Sequence, residues 1–338
     1  MKTAIVCLDK TYLQIVRYLR ESLEKYTPIE SCKLVTNYND QNIEDCDFYF
    51  IWNGINSSDN NCKNLFNHLI LNTSNGKCCY CGTVIEDYLS YRTRRMPCPF
   101  CGRLASRSSN FIYIFSGNHL RDNASNYFRN QMAIRFWASV DADWSLFRCL
   151  VQSMTTIPHL MVMPQKIWRK PVNFTISHFS TPDEPELDKY LKVIKEFCDR
   201  DPSVDFNEDA SKLHRTNLYI DQLHTGVLSQ HAINAMSIGI PTISYVNKFY
   251  LSHYPKLPIM NTAPQDIERE VRYFVHNPLT VPIIYNQQYV NKWFHPKRVS
   301  MQWYHLSKFI LQPDSFLDTH PELDINDIPA YWAFQGGY

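Results

Sequence analysis

Apolar residues follow two rhythms along this chain. Short unbroken runs, TAIVCL at Thr3–Leu8 and DFYFIWNG at Asp47–Gly54, have the length and composition of buried strands, whereas Thr11–Tyr26 returns Ile15, Leu19 and Leu23 to one helical face. Further on, FIYIFSG at Phe111–Gly117 predicts a strand and a polar turn, followed by an amphipathic helix around Ala124–Arg135. Prolines and basic residues break the pattern at Met163–Asn173. Beyond that break the signals alternate: strand Phe174–Ser180, helix Glu186–Asp199, strand SVDF, helix Asp209–Arg215, strand LYIDQL, helix Ser229–Gly239 and strand PTISYV. Such alternation implies a parallel sheet with helices on both faces, because each parallel pairing needs a crossover to bring the chain back. The segments QDIEREVRYFVHN and RVSMQWYHLSKFIL predict two further helices.

A chain of 338 residues suits two α/β domains better than one. The expected division is 1–165 and 172–300, with 301–338 forming a helix and tail that cross back to the first domain. Basic and acidic side chains nearly cancel, 34 against 33, so global charge points to no polyanionic or membrane partner and any such argument must be local. No run of about 18 apolar residues suggests a membrane segment, and the first residues lack an export signal. With eleven cysteines, an odd number, a disulfide framework is not expected, and a reducing cytoplasm (the host's, if the protein is viral) is the predicted location. Cys7, Cys32, Cys46, Cys62, Cys149 and Cys198 lie in apolar or amphipathic stretches and are expected to be buried free thiols. Nine glycines and no GxGxxG or GxxxxGK[ST] motif exclude a dinucleotide fingerprint and a P-loop.

The remaining cysteines carry a sharper signal. Cys78/Cys81 and Cys98/Cys101 form two C-x2-C pairs separated by sixteen residues, and a glycine follows the second cysteine of each pair. Two thiolates in one tight turn grip one side of a metal ion, and two such turns complete the tetrahedron that Zn2+ prefers. Four protein ligands leave no open position, so this zinc is expected to be structural. Cys79 would give a C-x-C spacing and is set aside. The ribbon, residues 76–110, contains six basic residues (Lys77, Arg92, Arg94, Arg95, Arg103, Arg107) against Glu86 and Asp87. A local excess of this kind, with Tyr88, Tyr91 and Phe100 nearby, fits a grip on a nucleic-acid backbone; a solvated structural knob is the alternative.

Ligands of open parallel sheets bind beyond the carboxyl ends of the strands. Two loops qualify, His178–Pro185 and Gln222–Gln230, and the second precedes a helix whose amino end, with Thr225, Gly226 and Ser229, can hold a phosphate. His178 and His224 are candidate ligand contacts at these strand ends.

The stretch NLYIDQLHTGVLSQHAINAMSIGIPTISYV, Asn217–Val246, resembles the nucleotide-sugar-binding half of GT-B glycosyltransferases related to the group-1 family. The resemblance is carried by the strand ending in Asp221-Gln222-Leu223, by Gly226, by Ala235-Met236, and by Gly239-x-Pro241; in the first half it is confined to Ser116–Arg121 (SGNHLR). It implies two Rossmann-like domains with a zinc-ribbon insertion in the first, a nucleotide-sugar donor in the second, and transfer to a hydroxyl acceptor. On this reading His119 contacts the reacting centre as base or hydrogen-bond donor and Arg121 meets the phosphates. His178, Gln222, His224, Thr225, Gly226, Ser229 and Asn234 then surround the donor. Retaining members carry two glutamates eight positions apart, but here Gly226 and Asn234 stand in those places. Asn234 can hydrogen-bond a ribose hydroxyl without supplying a carboxylate. The family's Lys-Gly is also replaced, within EPELDK, so Lys189, Arg121 or the Gly226 loop must meet the diphosphate. The basic ribbon suggests a nucleic-acid acceptor, such as a hydroxymethylated base, as in phage-type DNA-modifying sugar transferases. A polysaccharide or lipid-linked acceptor, and a non-catalytic nucleic-acid-binding protein on the same scaffold, are the alternatives.

Overall fold

The computed structural model describes residues 1–7, 10–36, 46–52, 111–115, 137–139, 154–156, 161–179, 188–223, 226–278 and 283–311. The chain divides into two compact units, Met1–His159 with Pro296–Tyr338, and Leu160–His295.

In the first unit, β1 (Lys2–Cys7) is followed by a 3-10 turn, Lys10–Tyr12, and helix α1 (Leu13–Tyr26). The apolar stripe of α1 buries Val16, Leu19 and Leu23. Strands β2 (Ser31–Val35), β3 (Phe48–Trp52), β4 (Phe111–Phe115), β5 (Trp137–Ser139) and β6 (Met154–Thr156) complete an all-parallel sheet of order β2-β1-β3-β4-β5-β6. Strand β3, FYFIW, is buried at every position, as expected of a strand covered on both faces. Residues 76–110 fall in the connection between the paired strands β3 and β4.

The second unit contains β7 (Phe174–Ser177), α2 (Asp188–Arg200), β8 (Val204–Asn207), β9 (Leu218–Ile220), α3 (Gln230–Ser237), β10 (Thr242–Ser244), α4 (Lys248–His253), β11 (Met260–Asn261), α5 (Ile267–His276) and α6 (Ile283–Trp293). The strands are again parallel, in the order β11-β10-β9-β7-β8. Ile176, Ile194, Leu218, Ile243, Val271 and Phe274 join sheet and helices in one apolar core. The expected helix at Asp209–Arg215 is instead a 3-10 segment, Ala210–Arg215, capped by the Asp209 side chain and closed by i to i+3 bonds such as Lys212 N–H to Asp209 C=O at 2.9 Å. The connection between β8 and β9 is ten residues, 208–217, and the 3-10 segment takes six of them. The expected strand LYIDQL stops at Ile220, because the next side chain turns to bind the start of α3.

The last described helix, α7 (Pro296–Leu311), belongs to the first unit and packs against α1. Its Trp303 stacks on Trp52 of β3, with ring centroids 5.8 Å apart and planes 4° apart, and meets Phe50 edge-on at 5.1 Å. Among the described residues no helix is long and apolar enough to cross a membrane. Of the six scattered cysteines, Cys32 and Cys198 are buried free thiols, Cys7 is buried as well and Cys46 is half-buried; Cys62 and Cys149 lie outside the described residues. Burial raises the thiol pKa of Cys32 to about 12 and of Cys198 to about 11, so neither is a nucleophile at neutral pH.

Candidate functional site

In the second sheet the chain winds from β7 outward to β8, then reverses through β9, β10 and β11. The point of reversal lies between β7 and β9, and parallel sheets open a crevice at the carboxyl ends of such a pair. His178 follows β7 there, and Asp221 follows β9.

His178 is completely buried. Its Nδ1 lies 2.9 Å from the carbonyl oxygen of Ile220, which can only accept, so Nδ1 carries the proton and the ring ties the ends of β7 and β9 together. Its Nε2, also buried, has no hydrogen-bond partner among the described residues. Burial holds the His178 pKa below its ordinary value, which keeps the ring neutral at pH 7. Beneath it, Ser177 Oγ and Thr216 Oγ1 meet at 2.6 Å, and Asn207 Nδ2 donates to Ser177 Oγ at 2.9 Å.

Asp221 is the most unusual group in the unit. It is completely buried, and its Oδ2 accepts from the Ser229 N–H and from Ser244 Oγ, each at 3.1 Å. Ser229 is the N-cap of α3, and its own Oγ accepts from the Ala232 N–H at 3.1 Å. The carboxylate thus sits at the positive end of the α3 dipole and already takes one of the amides that an incoming anion would use. Its Oδ1 is buried without a partner among the described residues. Burial pushes the carboxyl up to about 6, against the lowering effect of the hydrogen bonds from Ser229 and Ser244.

The loop between Asp221 and α3 is held from its other side by Gly226. Its φ of +74° is a left-handed value that glycine adopts without strain, and an added Cβ would lie 2.9 Å from Asn247 Nδ2. Gly226 bridges Val246, and its carbonyl accepts the Asn247 N–H at 2.9 Å. Asn247 caps α4 by accepting the Tyr250 N–H at 2.7 Å. Asn261, at the end of β11, clamps Val246 by accepting its N–H at 2.9 Å and donating to its carbonyl at 3.1 Å. Beside it, a depression of about 300 Å³ is lined by Met260, Asn261, Thr262, Ala263, Asp266, Arg269 and Glu270.

Several expected site residues therefore converge on one rim: Gln222, Gly226 and Ser229 flank the loop around Asp221. Gln222 lends its carbonyl to Ser244 Oγ at 3.3 Å. Asn234 lies farther along α3, buried, and its Oδ1 accepts from the Met163 N–H at 3.2 Å and from Gln230 Nε2 at 3.1 Å. That oxygen fastens α3 to the segment entering the unit. His224 and Thr225, His119 and Arg121, the ribbon arginines Arg92, Arg94, Arg95, Arg103 and Arg107, and the zinc cysteines Cys78, Cys81, Cys98 and Cys101 all lie outside the described residues, as does the side chain of Lys189. Among the described residues no group of His, Cys, Asp or Glu side chains is arranged to hold a metal. Sequence reasoning passed over Asp221 as a ligand-side group, along with Ser244, Asn247 and Asn261. An available sign was the carboxylate closing the apolar run Leu218–Ile220, where a charge has no place unless it is partnered.

No known protein-family profile matches the chain, and no curated protein matches it in sequence. Solved structures do. Sucrose-phosphate synthase from Thermosynechococcus elongatus aligns with 93% of this chain and 100% of its own at a TM-score of 0.52 and 11% identity. The chain has the fold of that enzyme. Weaker likenesses join it to a putative UDP-N-acetylglucosamine 2-epimerase from Listeria monocytogenes (TM-score 0.48, 9% identity, 97% of this chain and 98% of that one). They extend to the pneumococcal O-GlcNAc transferase GtfA (TM-score 0.41, 10% identity, 60% of this chain). The chain spans about half the length of GtfA, 53%. The mixed α/β architecture with parallel sheets is thus the one the family resemblance implied, and at these identities the likeness speaks to fold alone.

Proposed function

We propose that this protein is a glycosyltransferase that takes its sugar from a nucleoside-diphosphate sugar bound at the carboxyl ends of β7, β9 and β10 and the amino end of α3. The observation that carries the reading is the rim built around Gly226, Ser229 and Asp221 at the reversal point of the second sheet. The fold shared with a sucrose-phosphate synthase supports it. In the reaction the bond from the anomeric carbon to the diphosphate oxygen breaks, and a bond to the acceptor oxygen forms. The acceptor's proton passes to a base, for which His119 is the candidate, and the departing diphosphate is stabilised by Arg121 and by backbone amides. Gln222, His224, Thr225, Gly226 and Ser229 would meet the donor. His178, through Nδ1 on the Ile220 carbonyl, and Asn234, through Oδ1 on the Met163 N–H, would hold those residues in place. Cys78, Cys81, Cys98 and Cys101 are a tetrathiolate set that fits a structural Zn2+, and the ribbon's basic side chains support a nucleic-acid acceptor.

A panel of nucleotide sugars at about 1 mM tests the donor reading by thermal unfolding, since a ligand at about 100 times its Kd stabilises by roughly 2.7 kcal/mol. One donor should raise the Tm and be consumed faster when hydroxymethylated duplex DNA is added. Absence of any shift across the panel would sink the transferase reading and favour a nucleic-acid-binding scaffold. A shift with turnover on free saccharides and not on DNA would remove the acceptor reading alone.

A further inference from the structure

The segment entering the second unit starts beside α3, where Gln230 Nε2 donates to the Met161 carbonyl at 2.9 Å, and its later part, residues 166–173, lies by the amino ends of β7 and β9, away from the rim described above. Two bonds fix it to the 3-10 segment Ala210–Arg215 and its end: the Arg169 N–H donates to the His214 carbonyl at 2.8 Å, and Trp168 Nε1 donates to the Thr216 carbonyl at 2.8 Å. So anchored, the segment turns its neighbours outward. Ile167 is 87% exposed and Val172 fully exposed. Lys166, Arg169, Lys170 and Arg215 are exposed as well, and none of the four makes an ion pair among the described residues.

Five other cations of this unit, Lys195, Arg200, Lys212, Arg269 and Arg272, each meet a carboxylate within 3.4 Å, whereas Lys192, Lys248 and Lys256 share with the patch the lack of an ion pair among the described residues. From Leu160 to Ser180 the sequence holds no acidic residue at all, and Asp209, the nearest acid along the 3-10 segment, is taken by Lys212 at 3.3 Å. Three of the four lie near His214: after desolvation, the groups that lower its pKa are Lys166, Arg215 and Arg169. A patch of unneutralised positive charge repels itself, and the chain gains nothing from it in isolation.

We propose that this strap is a docking surface for an anionic lipid headgroup layer, with Lys166, Arg169, Lys170 and Arg215 meeting the headgroups and Ile167 and Val172 entering the layer between them. The exposed tips decide between anionic partners. Aliphatic side chains gain free energy on leaving water for the headgroup and acyl boundary, whereas a nucleic acid rewards aromatic faces on which bases stack. The one aromatic ring here, Trp168, is tied by its N–H to Thr216 and only half-exposed. Docking at the amino ends of the strands leaves the carboxyl-end rim open, so the surface does not depend on which donor or acceptor the protein uses.

The test is co-sedimentation of the full chain with vesicles of phosphatidylcholine alone and with about 30% phosphatidylserine added. Partitioning should need the anionic lipid and fall when salt rises from about 0.1 to 0.5 M. Each basic residue near such a surface contributes roughly fivefold to partitioning, so Lys166→Gln/Arg169→Gln/Lys170→Gln should weaken it about 100-fold. Ile167→Ser/Val172→Ser should weaken it several-fold at low salt, and both variants should keep the parent Tm because every replaced side chain is exposed. Three results overturn the proposal: no partitioning into either vesicle, partitioning that neither variant changes, or binding to duplex DNA that is lost with the charge variant and indifferent to Ile167→Ser/Val172→Ser.

Discussion

Replacing Asp221 by Asn should abolish a pH dependence of stability that runs opposite to the usual carboxylate. Most native carboxylates titrate below their ordinary value and stabilise the fold as pH rises. Burial places Asp221 at about 6 against an ordinary 3.8, so between these values the folded chain keeps a proton that the unfolded chain releases. Its contribution is fully present below pH 3.8 and is lost as pH rises through 6. At about 1.4 kcal/mol per pH interval of one, the loss amounts to roughly 3 kcal/mol, and complete burial leaves solvent little scope to screen it. An Asn side chain can still accept the Ser229 N–H, and Ser244 Oγ retains the Gln222 carbonyl as acceptor. The assay is urea unfolding of both proteins at pH 4.5, 6 and 7.5. The stability of the parent relative to Asp221→Asn should fall by about 2 kcal/mol from the lowest to the highest pH, the rest of the loss lying below pH 4.5. His178, which burial drives the other way, is present in both proteins and cancels in the difference. A difference that stays flat, or that grows in favour of the parent at pH 7.5, would refute the argument that desolvation outweighs the two hydrogen bonds.

Gly226→Ala combines a left-handed φ with a Cβ placed 2.9 Å from Asn247 Nδ2, so it should cost about 1–3 kcal/mol in urea unfolding and weaken donor binding with it. Trp303→Ala empties a fully buried site against Trp52 and Phe50 and should cost about 3–5 kcal/mol, read from the urea midpoint. The purified chain should contain one zinc ion by elemental analysis, and Cys78→Ser/Cys81→Ser should lose it. Arg92→Ala/Arg94→Ala/Arg95→Ala should keep the metal and lose affinity for duplex DNA; retained affinity would make the ribbon a structural staple.

The parallel sheet of the second unit was legible in the alternation of strands and helices after Phe174, since short continuous apolar runs there are dictated by burial on both sheet faces and amphipathic helices by burial on one of their own. Strands β2 and β11 were not. Ser31–Val35 mixes buried and half-exposed positions, and Met260–Asn261 is two residues long, so neither writes a period into the sequence. The rim was half legible. The glycine and the capping serine are local signals, carried by φ and by an N-cap preference, and both stand where they were expected. Asp221 acquires its meaning from partners 8 and 23 positions away, which the parallel crossover from β9 through α3 to β10 brings within 3.1 Å.

The stack of Trp303 on Trp52 ties a helix from the end of the chain to a strand from its beginning, and that has a consequence for synthesis. The second unit is one continuous stretch, Leu160–His295, and can complete its core while the chain is still being made. The first cannot, because Trp303, which covers Phe50 and Trp52, and the helix that α1 packs against arrive only when Pro296–Leu311 leaves the ribosome. Until then Phe48, Phe50 and Trp52 present an apolar face that a chaperone would recognise. Nascent chains stalled just short of residue 296 should therefore be protected from protease only within the later-made unit, and the earlier-made strands should become resistant last.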